Sequence, residues 1–184
     1  YSRRIAGIPG GYGKVIKSAM TDPNIEIIKN PARTQLLNGL KFSGRTKNKS
    51  GIGVFNAITA PMHAIIRDRT TGYKTKVLTE PVSNYNILVF DQALKGQSYI
   101  TFTNTNVIRN NSGRDANVTG IDFSVFDKSN SYNFKGYGHY SRIFTNNSYG
   151  GYNTSLRAGK VSGNFQYFVQ NVIRSDRYDP TDLG

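Results

Sequence analysis

The sequence predicts an all-β protein: an antiparallel transmembrane β-barrel, or a segment of a larger one, with about eight or nine strands in this chain. Three observations carry that expectation. Segments of about ten residues alternate apolar and polar side chains. Short turns alternate with longer connections between them, and the polar faces hold charged residues that a packed interior would exclude.

Taken in order, Tyr1 to Ile5 reads as the end of an earlier strand, and residues 7–33 read as a long outer loop. Leu36 to Thr46 is the first full strand, with Leu36, Leu40 and Phe42 opposing Lys41, Ser43 and Arg45. The short turn Lys47 to Ser50 leads into Gly51 to Ala60. Residues 61–82 form a long outer connection, in which His63 to Asp68 and Tyr73 to Leu78 flank a turn and extend a hairpin. Asn84 to Gln92 and Gln97 to Val107 are joined by the short turn Ala93 to Gly96, and residues 108–116 form another outer loop.

Asn117 to Asp127 shows the pattern best. Thr119, Ile121, Phe123 and Val125 share one face, while Gly120, Asp122 and Ser124 share the other. Tyr132 to Ile143, Tyr152 to Gly159 and Asn164 to Arg174 complete the set, separated by the turn Lys128 to Ser131, the longer stretch Thr145 to Gly150 and the turn Gly159 to Gly163. Strands of roughly 9 to 11 residues suit a tilted crossing of a bilayer, whereas soluble strands usually run about 5 or 6. The expected lipid-facing side chains are Phe42, Ile121, Phe123, Val125, Phe165 and Tyr167, and the expected lumen-facing ones are Arg45, Asp122, Lys135, His139 and Arg157. Tyr85, Tyr99, Tyr132, Tyr140, Tyr152 and Tyr167 lie mostly near strand ends, where an aromatic belt would meet head groups. A soluble β-sandwich or propeller also alternates and is the competing architecture.

Composition agrees with β structure: 12 Tyr, 10 Phe and 19 Gly against 6 Pro. The mean hydropathy of −0.48 does not exclude a membrane, because only alternate residues of a barrel strand face lipid. Apolar runs such as Ile87 to Phe90 are too short for a membrane helix. The absence of Cys removes disulfides and thiolate metal sites. A start at Tyr1 without a leader, and a tail from Tyr178 to Gly184 that reads as a loop into a further strand, suggest a segment of a longer barrel. The net charge of +13 suits either nucleic acid or anionic head groups. Its cations are scattered near turns and strand ends rather than along one element, which reads first as a set of solvated loops and next as contact with outer-membrane lipid and lipopolysaccharide, and sets nucleic acid aside.

The chain resembles a family of large Gram-negative outer-membrane proteins in which a barrel domain of unassigned function follows a family-nine-like carbohydrate-binding module. The likeness rests on Tyr1-Ser2-Arg3-Arg4-Ile5, on Leu40 to Thr46 followed by Gly51 to Thr59, on Glu80 to Tyr85 and on Tyr178 to Gly184, in that order. It implies an outer-membrane location, contact with carbohydrate through an upstream module, and other outer-membrane or periplasmic proteins as partners. The module's sugar-binding residues correspond to no position in this chain.

No catalytic set is evident, and no cofactor is expected. His63 and His139 lack a second His or Cys at ligand spacing for zinc. Residues 7–14 depart from a phosphate-binding loop at Ile8 and Val15 and read as a flexible glycine loop. Asp176, Asp179 and Asp182 could converge on a calcium ion, but their spacing of three and Pro180 suit a plain turn. Asp122 and Asp127, five residues apart, point to opposite faces and make no glycosidase pair. Three functions follow as expectations: a barrel domain with a structural or transport-related role in glycan handling, the membrane anchor of a carbohydrate-active surface hydrolase, or a soluble basic β-protein binding an anionic polymer.

Overall fold

The computed structural model describes residue 5 and residues 7–111 and 114–182. The chain is all-β, with one short helix and two antiparallel sheets. Helix α1 (Tyr12–Thr21) precedes β1 (Ile25–Lys29), which pairs with β4 (Met62–Asp68) and β5 (Lys74–Glu80) in a three-stranded sheet. The large sheet contains β2 (Leu36–Arg45), β3 (Ser50–Thr59), β6 (Ser83–Ala93), β7 (Tyr99–Arg109), β8 (Asp115–Phe126), β9 (Tyr132–Phe144), β10 (Tyr149–Lys160) and β11 (Tyr167–Arg174). Its order is β11-β10-β9-β8-β7-β6-β3-β2, a meander interrupted only where the β4–β5 hairpin is inserted. The sheet is open. Among the described residues, the outer edges of β2 and β11 have no hydrogen-bonded neighbour.

These strands lie within a few residues of the expected ones, because the period-2 pattern follows the pleat directly. Tight turns come from residues that tolerate positive φ: Gly96, Asn130 and Gly163 turn three of the connections. Lys49 does the same at φ 62°, although it carries a Cβ.

Several expectations are corrected. Residues 7–33 are not a loop: they hold α1, which buries Val15 and packs on β1. The glycine segment meets β5 and runs into α1: Gly10 N–H donates to Glu80 Oε2 at 2.6 Å and Gly11 N–H to the Thr79 carbonyl at 2.7 Å. The hairpin His63 to Leu78 does not lengthen a barrel hairpin but forms the separate small sheet with β1. The outer loop 108–116 shrinks to the connection 110–114, and Thr145 to Gly150 shrinks to 145–148, because β7, β8, β9 and β10 each continue for 11 to 13 residues. The contrast of loop lengths therefore rests on the β4–β5 insertion alone among the hairpin connections. Tyr1 to Arg4 lie outside the described residues, and Ile5 sits in a turn.

Register assigns every side chain in the large sheet to one of two faces. On one face the most apolar positions are Leu40 and Phe42 on β2, Leu88 and Phe90 on β6, Ile121, Phe123 and Val125 on β8, and Val169 with Tyr167 on β11. This band runs obliquely to the hydrogen-bonded rows. The row through Phe42 passes Val54 and Leu88, then leaves the band through Asn104, Thr119, Tyr140 and Tyr152. The row through Val125 passes Phe134 and Ala158 to Val169. The band thus slips roughly one residue per strand across the sheet, given a period-2 side-chain repeat.

Few apolar side chains are buried. Ala57, Tyr85, Val107, Ala116 and Ile143 form one buried row across five strands at the end nearest the connection 110–114. Most of the larger ones, from Phe42 to Ile173, are exposed on a sheet that no second layer covers among the described residues. A sandwich would have packed one face on another sheet. The eight continuous strands also differ from the four-stranded blade of a propeller.

Candidate functional site

The second face of the large sheet gathers most of the charged residues, while Asp115, Arg142 and Lys160 stand toward strand ends on the apolar face. Arg45, Asp122, Lys135, His139 and Arg157 all stand on the second face. Of the expected apolar set, Phe42, Ile121, Phe123, Val125 and Tyr167 share the opposite face. Phe165 falls before β11, which starts three residues later than expected; its exposed ring lies 5.7 Å from Tyr167. A register shift between Leu36 and Asn38 turns Leu36 opposite Thr59, onto the charged face, contrary to the simple alternation. Tyr85 and Tyr99 likewise stand on the charged face, so the tyrosine belt on the apolar face reduces to Tyr132, Tyr140, Tyr152 and Tyr167.

Arg45 crosses β3 to reach Asp91 on β6, with Nη2 2.6 Å from Oδ2. Gly51 lies between them, and a side chain there would meet the guanidinium. His139 lies flat over Gly120, its register partner, where a methyl group would collide with the imidazole. Its Nε2 is 3.1 Å from Asp122 Oδ2, and its ring stacks on Tyr137 at 4.8 Å. Lys135 and Arg157 are direct register partners. The Arg157 guanidinium sits 3.6 Å above the Phe168 ring. Near β3 and β6 the same face turns apolar: Phe55, Ile87 and Val89 with Lys41 bound a shallow cavity of about 220 Å³. Sequence alternation gave no sign of this patch, because β3 and β6 carry apolar residues on both faces.

A strap formed by residues 175–182 folds back over this face. Asp179 N–H donates to Ser141 Oγ at 2.9 Å, and the Arg177–Tyr178 backbone rests on Gly151. Arg114 Nη2 binds Asp182 Oδ2 at 2.6 Å and Asp179 Oδ2 at 3.1 Å, while Arg109 Nη2 binds Asp182 Oδ1 at 2.9 Å. Tyr149 donates its hydroxyl to Asp179 Oδ2 at 3.1 Å. Asp179 and Asp182, the candidate calcium ligands, therefore close on arginines. Burial pushes the Asp179 carboxyl up, but hydrogen bonds from Thr181, Tyr149 and Arg114 outweigh it and hold it at about 2. Among the described residues, no group of three His, Cys, Asp or Glu could hold a metal ion.

The model of a protein family described as "Domain of unknown function (DUF5916)" matches residues 1–184. The chain belongs to this family. No curated protein and no solved structure matches it. In this member of the family, the two-faced sheet is the feature that bears on function. Among the described residues, no helix is long and apolar enough to cross a membrane, a test that does not address membrane strands.

Proposed function

We propose that the large sheet is wall of an outer-membrane β-barrel in a Gram-negative surface protein. Its apolar face lies on lipid and lipopolysaccharide, its charged face borders a watery lumen, and its role is structural or transport-related in glycan binding or uptake. The glycan link rests on the resemblance to barrels that follow a carbohydrate-binding module. The oblique apolar band is the observation that carries the membrane reading. Barrel strands tilt about 35–45° to the barrel axis, so a lipid belt perpendicular to that axis must cross them at a slant. A slip of about one residue per strand, with a rise of ~3.3 Å and a strand spacing of ~4.8 Å, gives a slope of ~35°. A soluble sheet buried on one face would be apolar over that whole face rather than along a slanting band.

Aromatic residues border the band. Tyr132 with Tyr167 and Tyr140 with Tyr152 mark two levels on the apolar face. Tyr132 and Tyr140 are separated along β9 by ~26 Å, or ~20 Å in height at such a tilt, close to the ~25 Å apolar band of outer-membrane barrels.

The test is detergent dependence. The purified protein should be monodisperse and β-folded in detergent micelles and should aggregate when detergent is removed. A protein that stays folded and monodisperse without detergent overturns the proposal.

A further inference from the structure

Lys135 and Arg157 face each other directly across β9 and β10 on the charged side of the sheet. Like charges directly opposite on one face repel, with Cβ atoms about 4.5–5.5 Å apart, so the pairing costs stability unless a counter-charge is present. Among the described residues there is none: Arg45, Arg67 and Arg109 each reach a carboxylate, whereas neither Lys135 nor Arg157 has one within 4.0 Å. Asp122 borders the same cavity, but its carboxylate faces His139. Phe168 holds the guanidinium of Arg157 from below. The cavity that the pair lines, about 270 Å³, is bounded as well by Tyr99, Tyr137 and Gln170, whose amide donates to the buried Ser155 hydroxyl at 2.9 Å.

We propose that Lys135 and Arg157 form an oxyanion-binding site for one phosphate or carboxylate group carried by a ligand. Two unpaired cations lining one cavity, with polar side chains beside them, match a group with several acceptor oxygens, and Arg presents its fork of donors to such a group. The volume lies below that of pockets for whole drug-sized ligands, so the site takes a single charged unit. None of this depends on whether the sheet lies in a membrane.

Titration calorimetry at low salt, on the folded protein in whichever solvent or micelle keeps it so, tests the site with inorganic phosphate, galacturonate and neutral methyl galactoside. Saturable binding of phosphate or galacturonate, absent with the neutral sugar, is expected; whichever binds tighter names the source of the anion. Lys135→Gln and Arg157→Gln should each weaken binding about tenfold, the loss of one charge-assisted contact. Lys135→Arg should retain it. Gln170→Glu, which builds a carboxylate beside the pair, should abolish binding and raise the melting temperature, a combination that misfolding does not produce. Absence of saturable anion binding to the unmodified protein, equal binding of the neutral sugar, or Gln170→Glu binding as before, overturns the proposal.

Discussion

At Gly151 an added methyl group collides with the backbone of Arg177 and Tyr178, whereas at Gly138, on the neighbouring strand, it meets nothing within 4 Å. Gly151→Ala should therefore cost about 1–3 kcal/mol by forcing the strap off the sheet. Gly138→Ala should be neutral, or stabilising by up to about 1 kcal/mol through the lost freedom of the unfolded chain. Chemical unfolding of the two variants separates them, and equal behaviour would mean that the strap does not rest there. The strap's acid sensitivity follows from Asp179. Its carboxyl is held at about 2 in the folded chain, below the ~3.9 of an unfolded Asp. Its contribution is complete above about pH 4 and lost as pH falls through about 2. Hydrogen exchange at residues 175–182 should rise over that window while β9 and β10 stay protected. Exchange in the strap that ignores pH between 4 and 2 contradicts the assignment.

At the scale of elements, a ladder of amides crosses the apolar face just beyond the apolar band. Asn56 donates to Asn84 and Asn86, each at 2.7 Å, Asn86 donates to Asn106 at 3.0 Å, and Asn104 donates to Thr119 at 2.7 Å. Asn86→Leu leaves Asn56 and Asn106 without that partner and should destabilise the sheet by about 1–3 kcal/mol. A stabilising effect, read by unfolding in detergent or lipid, would put the ladder within hydrocarbon and move the membrane boundary. The eight long strands were legible because alternation over ten residues has one structural solution, and that alternation also placed the five charged candidates on a shared face. Less was legible where local pattern does not decide. Helix α1 is ten residues with no side-chain N-cap and hides in a segment rich in glycine and proline. The pairing of β1 with β4 joins residues some forty apart, which no turn signal announces. The contacts of Arg109 and Arg114 with Asp182 span about seventy residues and depend on the path of the strap.

For the whole molecule, the open sheet with apolar residues along one slanted band and most charges on the other face is the arrangement from which the membrane reading follows. The separate sheet of β1, β4 and β5 with α1 stands at the end where β3 leaves and β6 re-enters the large sheet. The chain has no Cys, so any introduced cysteine is unique and can carry a fluorophore. The most direct measurement is depth-resolved quenching of such labels in bilayers, first along β8 and then at Phe42 on β2, Tyr152 on β10 and Val169 on β11. Labels at 121, 123 and 125 should respond to lipid-borne quenchers and those at 120, 122 and 124 to aqueous ones. Phe42 and Val169 should lie at similar depth although three side-chain rows separate them, and Tyr152, in the row of Phe42, should lie nearer the interface. Quenching without alternation, or depths that follow the hydrogen-bonded rows so that Phe42 matches Tyr152, would contradict a tilted barrel wall.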